Sequence, residues 1–283
     1  MRTKKMQIAA LLLTLTMTLT ACSSGAKKAP EDSAAKATLD VHFFDAGKAD
    51  AILLSTAEST VLIDAGEKGF GKTILAYLEE QGIEKLDYLI VTHFDKDHVG
   101  GAAKVINNIS VGTVLQSNSP KDSEEYEKYV KALANAGIEP VTVRETLTFT
   151  LDGMACTVDP PAQETYADDP SNNSSLIVSV VNGADRFLFT GDAQTARLAE
   201  FLDGDVSECD VLKLPHHGQD EPLLSALLDA TRPAYAVITS SDEEPESTAV
   251  VEALERAGAT VLLTRNGAVT LRSDENGVRV LAE

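Results

Sequence analysis

The sequence predicts an α/β fold in which two β-sheets pack together and carry helices on their outer faces. Short apolar runs rich in β-branched residues alternate with amphipathic stretches in both halves of the chain. Hydrophobic residues make up 43% of the 283 residues, which is ample material for a core. Strands followed by helices, twice over, are typical of two sheets packed face to face with helices outside them.

In the first half, three short apolar runs separated by glycines predict strands. An amphipathic helix follows and ends at Gly82. A continuous apolar run then indicates a strand that is buried on both faces. The predicted strands are Leu39–Phe44, Ala51–Ser55, Val61–Ile63 and Leu86–Val91, and the predicted helices are Thr73–Gln81, Ala102–Asn107 and Ser123–Ala136.

The second half repeats this pattern. Asn182-Gly183 is a strong hairpin signal between two predicted strands. The predicted strands are Leu147–Leu151, Ala155–Val158, Ser175–Val181, Arg186–Thr190, Val211–Leu214, Tyr235–Ile238, Thr260–Leu263, Ala268–Arg272 and Val278–Leu281, and the predicted helices are Ala193–Leu202, Pro222–Ala230 and Thr248–Ala257. No low-complexity linker interrupts residues 38–283, so we predict one domain there.

The N-terminal residues predict an export signal followed by a membrane tether. A basic start, a short apolar run and small residues predict a secretory signal over residues 1–21. The segment Leu19–Cys22 resembles a bacterial lipobox, which implies a lipid on Cys22. Residues 22–37 are rich in serine, alanine and lysine, as is typical of a flexible spacer. We therefore expect an exported domain anchored to the outer face of the cytoplasmic membrane, extracellular or periplasmic.

Charge and cysteine content limit the possible functions. The chain carries a net charge of −20, and residues 38–283 alone carry −24, so we expect no stable complex with nucleic acid. Cys156 and Cys209 lie in apolar stretches, which indicates two buried free thiols. A disulfide between them stays possible outside the cell, because sequence alone cannot place their Cα atoms within bonding range.

Four of the five histidines fall into two clusters, each directly after a predicted buried strand. His93 and His98 flank Asp95 and Asp97, and the second cluster is the pair His216-His217. The end of an interior strand is where α/β folds place their sites. Imidazole and carboxylate groups at this density are suitable ligands for a divalent transition metal.

These motifs resemble the metallo-β-lactamase superfamily and, within it, the ComEC-type hydrolase domain of DNA-uptake competence proteins. The segment His93–Gly101 is similar to the H-x-H-x-D-H signature, with aspartate as its second ligand. Further matching segments, in family order, are Asp45–Ala51, Leu62–Gly66, Asn172–Leu176, Thr190–Asp192 and Leu212–Gly218. The resemblance covers residues 39 to about 271 and implies an αββα four-layer sandwich, here as a free-standing tethered domain.

The resemblance also implies two divalent metal ions, zinc or manganese. His93 and Asp95 would hold the first ion. Asp97, His98 and one histidine of the later pair would hold the second ion, and Asp192 would bridge the two. No histidine lies between His98 and the later pair. The first ion would therefore have oxygen-rich ligands, which shifts the preference from zinc towards manganese.

Within the later pair, we prefer His216 as the metal ligand and His217 as a neighbouring or substrate-facing group. We expect Asp64 to orient the metal loop from behind. Asp50 either contributes to the site or caps a turn. His42, on an alternating strand, is expected to be a surface or packing residue.

Three more residues are candidate contacts. Asn173 and Ser174 lie in the loop of residues 168–175, which could supply an oxygen ligand to the first ion. Lys213 is a possible phosphate contact, although a lysine at a strand end is more often a solvated surface charge.

The function implied by this resemblance is metal-dependent hydrolysis. Two ions about 3.5–4 Å apart lower the pKa of a shared water from about 15.7 towards 7, and the bridging hydroxide attacks the substrate. Asp97, Asp192 and His217 are the candidate catalytic residues. We expect a phosphodiesterase or nuclease acting on nucleic acid, nucleotides or a cell-wall polymer. The alternatives are a lactonase or β-lactamase, which cleave carbon–oxygen or carbon–nitrogen bonds, and a non-catalytic binding protein.

Overall fold

Strands with one face turned inward form two mixed sheets. The structure is a computed structural model that describes residues 36–281. The predicted signal, Cys22 and most of the predicted tether lie outside the described residues. All of the described residues belong to one unit, residues 33–283.

The first sheet has eight strands, in the order β15-β14-β1-β2-β3-β4-β5-β6. Strands β3 to β6 run parallel, and the remaining pairs are antiparallel. The strands are β1 (Leu39–Phe43), β2 (Ile52–Ser55), β3 (Thr60–Ile63), β4 (Lys85–Val91), β5 (Ser110–Gln116), β6 (Val141–Thr142), β14 (Val269–Asp274) and β15 (Gly277–Leu281).

The second sheet has seven strands, in the order β13-β12-β11-β10-β9-β8-β7. Strands β10 to β13 are parallel, and β7 to β10 form an antiparallel meander that contains the predicted Asn182-Gly183 hairpin. The strands are β7 (Leu147–Leu151), β8 (Met154–Asp159), β9 (Ile177–Asn182), β10 (Asp185–Phe189), β11 (Val211–Lys213), β12 (Tyr235–Ile238) and β13 (Thr260–Leu263).

Within residues 36–281, seven α-helices cover the outer faces of the sheets. They are α1 (Gly71–Glu80), α2 (Lys96–Val99), α3 (Ala102–Ile106), α4 (Glu124–Ala136), α5 (Thr195–Leu202), α6 (Leu224–Thr231) and α7 (Thr248–Arg256). The hydroxyl of Ser123 caps α4 by accepting a hydrogen bond from the Tyr126 amide, and Gly137 ends this helix in a left-handed conformation.

Three apolar layers result from this arrangement. The central layer joins the facing sides of both sheets, with side chains such as Phe43 and Phe189 in contact. A second layer packs α1 to α4 against the first sheet, and a third packs α5 to α7 against the second sheet. The four-layer αββα sandwich predicted from the motifs is therefore confirmed.

Most predicted elements are present with ends shifted by one or two residues. The sequence interpretation missed β5, β6 and the one-turn helix α2. Gly112 interrupts the apolar run of β5, β6 has only two residues, and α2 carries the charged metal-loop motif in place of an apolar face.

Two further expectations, on the cysteines and on His42, can be compared with the structure. Cys156 and Cys209 are buried free thiols, as predicted, and burial raises the pKa of each to about 12. His42 is a packing residue that stacks on Tyr77 and hydrogen-bonds Thr270. Within residues 36–281, no helix is both long enough and apolar enough to cross a membrane.

Candidate metal centre

Strand ends from both sheets meet at one edge of the sandwich. In the first sheet, Asp64 follows β3 and Thr92 follows β4. In the second sheet, Asp192 lies three residues after β10, His217 lies four residues after β11, and Thr239 follows β12. The carboxyl ends of parallel strands therefore deliver these side chains to the same place.

Four of the predicted site residues converge most closely: Asp97, His98, Asp192 and His217. One ligand atom from each lies within 4.8 Å of the others. The Nε2 atoms of His98 and His217 lie 3.3 and 3.2 Å from Oδ2 of Asp192. Oδ2 of Asp97 lies 3.4 Å from Nε2 of His217 and 3.9 Å from Nε2 of His98. Both imidazoles are buried, and the side chain of Asp97 is 19% exposed, so the cluster opens towards solvent at Asp97.

Hydrogen bonds to Nδ1 orient the two imidazoles. The carboxylate of Asp64 lies 2.8 Å from Nδ1 of His98 and accepts its proton. The Thr239 hydroxyl lies 2.9 Å from Nδ1 of His217 and donates its own proton to Asp50 at 2.6 Å. The Thr239 oxygen must therefore accept a hydrogen bond from Nδ1–H of His217. In both imidazoles the Nε2 lone pair faces the cluster.

A hydrogen bond at Nδ1 orients the imidazole of His93 in the same way. The Thr92 hydroxyl donates to Asp64 at 2.6 Å and lies 3.2 Å from Nδ1 of His93, so it accepts from that ring. The hydroxyl of Ser175 lies 3.4 Å from the same nitrogen. The rings of His93 and His98 have centroids 4.0 Å apart. His93 thus presents its Nε2 beside the cluster of four.

The donor set fits a divalent transition metal. Nε2 of His93, His98 and His217 and Oδ1 of Asp192 are buried and have no hydrogen-bond partner within residues 36–281. Lone pairs of imidazole and carboxylate that face each other at 3.2–3.4 Å repel unless a proton or a cation lies between them. Neutral imidazoles and carboxylates on one centre are the ligand types of zinc and manganese sites.

The charges of the cluster shift its ionisation strongly. Burial opposes protonation of His98 and His217, but the carboxylates around them, Asp192 foremost, together outweigh burial and raise the pKa of both imidazoles. The two imidazoles in turn hold the pKa of Asp192 well below its usual range against the effect of burial. Burial lowers the pKa of His93 to about 4. Metal binding would therefore displace protons from His98 and His217.

Asp64 and Gly191 are among the site residues that have a left-handed backbone conformation. Asp64 has φ of 56°, and its carboxylate accepts from the amide and hydroxyl of Thr92 as well as from His98. Gly191 has φ of 52°, and a Cβ there would lie 3.2 Å from Ser175 and Thr92. Glycine adopts this conformation freely, whereas at Asp64 it is strained, and such strain persists only where the surrounding contacts impose it, as in functional sites.

The structure corrects the preference for His216 over His217. His216, His217 and Gly218 are successive left-handed residues, and this turn directs His217 into the cluster. The ring of His216 lies outside the cluster, where Nδ1 is 3.0 Å from Gln194 and 3.4 Å from Glu221. Of the two adjacent histidines, only His217 is placed to act as a ligand in this cluster.

The interpretation of Lys213 as a solvated surface charge is also wrong. Lys213 is fully buried, and its ammonium group bonds the carboxylate of Asp50 and, at 3.0 Å, the carbonyl of Gly191. Oδ1 of Asp192 lies 3.6 Å from the same ammonium group. Burial lowers the pKa of Lys213, but the two carboxylates outweigh this effect and raise it. Asp50, left open between a site residue and a turn cap, belongs to this buried network.

Asp95 lies at the edge of the site and outside the cluster of four. Its carboxylate bonds the ammonium group of Lys121 at 2.5 Å and the hydroxyl of Ser171. Asp95 also lies close enough to His93 for the imidazole to lower the pKa of the carboxyl, against the effect of burial. His93 and Asp95, the residues predicted for a first metal, are therefore neighbours beside the cluster.

The side chains of Asn173 and Ser174 do not point into the cluster. The Asn173 amide accepts from Arg197 N and donates to the carbonyl of Asp168, and the Ser174 hydroxyl donates to the carbonyl of Ser171. Both residues stabilise their own loop. The neighbouring Ser175 reaches the site instead, because its hydroxyl accepts from the Asp192 amide at 3.1 Å.

Sequence reasoning missed the hydroxyl residues Thr92, Ser175 and Thr239. Thr92 directly precedes His93, and a hydroxyl beside a metal-loop histidine is a signal that could have been used. Thr239 lies 22 residues after His217 and carries no local signal. Only the pairing of β11 with β12 brings it to the imidazole.

The chain is similar in sequence to two curated bacterial proteins. It is 29% identical over 218 residues to Recombination protein 2 of Haemophilus influenzae and 28% identical over 214 residues to Competence protein ComA of Neisseria gonorrhoeae. These matches cover 74% and 75% of this chain but 25% and 28% of the relatives, so the chain spans about a quarter of their length. They agree with the ComEC-type resemblance.

The fold is also found in solved structures. The metallo-beta-lactamase fold protein YhfI from Bacillus subtilis superposes with a TM-score of 0.55 at 11% identity, over 81% of this chain and 96% of that chain. This likeness concerns the fold alone. Residues 45–240 match the family model described as the Metallo-beta-lactamase superfamily. The chain therefore belongs to the metallo-β-lactamase superfamily.

Proposed function

We propose that this protein is an exported, membrane-tethered hydrolase that uses two divalent metal ions to cleave phosphodiesters. Membership of the superfamily and the candidate metal cluster support the coarser assignment to a metal-dependent hydrolase. One observation carries the proposal. Buried, unpartnered Nε2 atoms of His98 and His217 converge with the carboxylates of Asp97 and Asp192.

The residues of this chain have distinct roles in the proposal. Asp97, His98, Asp192 and His217 would hold one ion. Bound divalent ions would lower the pKa of a water molecule and polarise a phosphoryl oxygen. Asp64 and Thr239 keep both Nε2 lone pairs available by accepting the Nδ1 protons of His98 and His217. Zinc and manganese are both compatible with this donor set.

A second ion would bind beside the first. His93 offers a buried Nε2 lone pair, and Asp95 would supply a carboxylate once it leaves Lys121 and Ser171. Asp192 has two carboxylate oxygens and would bridge the ions, as the family resemblance implies. Its Oδ1 has no hydrogen-bond partner among the described residues.

Two arguments support phosphodiesters as the substrate class. The names of the relatives refer to competence and recombination, which suggests nucleic acid as the substrate of this chain too. The cluster also contains two carboxylates, and carboxylate-rich ligation suits the oxygen-seeking ions of phosphoryl chemistry. Nucleic acid, nucleotides and cell-wall polymers all carry the required bond.

Export and tethering rest on the N-terminal motif. A lipid on Cys22 would hold the domain outside the cytoplasmic membrane. The full chain should sediment with membranes, and Cys22→Ser should release it into the soluble fraction or leave an unprocessed precursor. A Cys22→Ser variant that is processed and membrane-bound like the wild type would contradict the anchor.

Hydrolysis of two chromogenic substrates, bis(p-nitrophenyl) phosphate and nitrocefin, tests the reaction class. The full-length protein, chelated and then supplied with Mn²⁺ or Zn²⁺, should hydrolyse bis(p-nitrophenyl) phosphate. Asp97→Ala should abolish this turnover. Asp229→Ala, which removes an exposed carboxylate on α6, should leave it unchanged.

Other outcomes would decide against the proposal. Turnover of nitrocefin alone would indicate an enzyme that cleaves carbon–nitrogen bonds. No turnover of either substrate, together with no bound metal in elemental analysis, would indicate a binding protein that retains the fold.

A further inference from the structure

A groove lined by lysines lies on the outer face of the first sheet, and the proposed metal chemistry does not use it. The lysine groove, as we call it, has a volume of about 370 Å³. Four lysines line it: Lys68, Lys104, Lys128 and Lys131. Lys68 lies in the loop before α1, Lys104 lies on α3, and the other two lysines lie on α4. Lys128 and Lys131 are three residues apart on α4 and so project from the same face of that helix.

The lysine groove concentrates positive charge on a protein whose net charge is strongly negative. Residues 38–283 carry a net charge of −24 and contain 18 lysines and arginines. Four of these 18 cations line one groove, and no aspartate or glutamate lines it. Such a concentration of positive charge creates a local field that attracts anions, against the field of the whole domain.

Two of the four ammonium groups are available to a ligand. Among residues 36–281, Lys104 and Lys131 have no ion-pair partner. Lys68 and Lys128 share the carboxylate of Glu124, at 3.2 and 2.5 Å. All of these side chains are exposed, and exposed ion pairs contribute about 0–1 kcal/mol, so an incoming phosphate can exchange with Glu124.

The groove is built on the segments that carry the metal site. Gly100 lines the groove and lies three residues after Asp97. The backbone of Lys68 packs directly on Gly100, where a Cβ would lie 2.5 Å from the Lys68 nitrogen. Two residues earlier, the amide of Gly66 donates to the carbonyl of Asp50, which belongs to the buried network behind the cluster. The lysine groove and the metal loop therefore share the backbone segment from Asp97 to Gly100.

We propose that the lysine groove binds the phosphate backbone of a nucleic-acid strand and thereby positions it at the metal centre. This inference rests on the proposed phosphodiesterase function and names its substrate. No aromatic side chain lines the groove, so bases would not stack there and binding would be independent of sequence. Asn107 and Asn135 also line it, and their amide groups add hydrogen-bonding capacity for the sugar–phosphate backbone of a strand.

The surrounding acidity makes the interaction weak. Four lysines contact only a few phosphates, while a longer nucleic acid also meets the acidic surface beyond the groove. The groove therefore positions a short stretch of strand without forming a stable complex.

Binding of a short strand tests this proposal separately from hydrolysis. We would measure the fluorescence anisotropy of a labelled single-stranded oligonucleotide of about 12 nucleotides, a length typical of such sites. The full-length protein would be stripped of metal with a chelator so that nothing is cleaved. The affinity should fall as salt is added, because each neutralised phosphate releases counterions.

The double variant Lys104→Ala/Lys131→Ala removes the two unpaired cations. We expect roughly tenfold weaker binding and a salt slope that is smaller by about 1.4, which is two contacts at about 0.7 each. Arg144→Ala/Arg232→Ala is the matched control, since it removes two exposed cations elsewhere and should change neither quantity. Glu124→Gln, which frees Lys68 and Lys128, should strengthen binding.

Three results would overturn the inference. The first is an unchanged affinity and salt slope in the Lys104/Lys131 variant, with native melting temperature. The second is an equal loss in the control variant. The third is a glycerol-phosphate polymer that displaces the oligonucleotide at a lower phosphate concentration than unlabelled oligonucleotide does. If the wild type binds the strand as expected but no variant or metal yields phosphodiester turnover, the proposed function fails while the groove remains.

Discussion

Nδ1 of His217 lies 2.9 Å from the hydroxyl oxygen of Thr239, and that hydroxyl donates to Asp50 at 2.6 Å. This chain of hydrogen bonds joins the segments that follow β11 and β12 to the loop between β1 and β2, and it determines which nitrogen of His217 carries a proton. The other nitrogen faces Asp97 and Asp192 with its lone pair. Because the same carboxylate of Asp50 also bonds the buried Lys213, the metal cluster and the charged network behind it form one unit.

The two adjacent histidines should differ sharply when each is replaced. His217→Ala removes an imidazole whose Nε2 lies in the cluster, so bound metal and phosphodiester turnover should fall by at least about a hundredfold. His216→Ala removes a ring that contacts Gln194 and Glu221, and metal content should stay at the wild-type level. Elemental analysis of the dialysed proteins measures both. Loss of metal in His216→Ala alone would show that the sequence-based preference was correct.

Replacing Asp64 should weaken metal binding without removing a ligand of the cluster of four. In Asp64→Asn, one carboxylate oxygen becomes an NH2 group, and the remaining oxygen cannot accept from the Thr92 amide, the Thr92 hydroxyl and His98 together. His98 then loses the partner that directs its Nε2 towards the ion, and metal affinity should fall by about 10–100-fold. Competition with a chromophoric chelator gives the dissociation constant. Asp87→Asn, near the start of β4 where the carboxylate accepts from Thr60 and Lys85, is the control. An equal loss in both variants would argue against the role of Asp64.

Removing the charge of Lys213 should destabilise the metal-free protein. Lys213→Met leaves the buried carboxylate of Asp50 without its ammonium partner, which should cost about 3–5 kcal/mol in the free energy of unfolding. The double variant Lys213→Met/Asp50→Asn removes both charges and should recover part of that loss. Urea unfolding measures the three proteins. Lys85→Met, which removes an ammonium group on a side chain that is 61% exposed, should cost less than about 1 kcal/mol.

Two results would contradict that prediction. Lys213→Met could be as stable as Lys85→Met, which would mean that Asp50 does not depend on the ammonium group. The double variant could also be less stable than the single variant, which would mean that the two charges do not compensate each other.

His42 should make stability depend on pH. Burial against Tyr77 lowers the pKa of its imidazole to about 4, whereas the unfolded chain protonates histidine near pH 6.5. Between these values the unfolded state binds more protons, so stability is lost as the pH falls from about 6.5 to about 4. His42→Gln keeps a hydrogen-bonding group towards Thr270 but cannot titrate. The difference in unfolding free energy between the variant and the wild type should shift in favour of the variant over this range.

Carboxylates also titrate in this range, but they do so in both proteins and cancel in the comparison. A difference in unfolding free energy that stays constant between pH 7 and pH 4.5 would show that His42 is accessible to protons in the folded state.

The sequence was sufficient for the architecture because the relevant signals are local. Apolar runs mark the strands, amphipathic spacing marks the helices, and Asn182-Gly183 marks a hairpin, so these elements were predicted close to their observed ends. Strand β5 was not predicted because Gly112 weakens its apolar pattern. Pairing with β4 stabilises this strand. The grouping of His93, Asp97 and His98 into one metal loop was also local, since all three lie within six residues.

The chain by itself determined the fold class, the family motifs and the chemical character of the site, because each depends on residue types at fixed spacing. Only the tertiary structure decided which of His216 and His217 enters the cluster, since these neighbours differ in backbone direction and not in chemistry. Tertiary structure also decided that Lys213 is buried. Its partners Asp50 and Asp192 lie far from it in sequence, and no local pattern reports a charge that is compensated across two sheets.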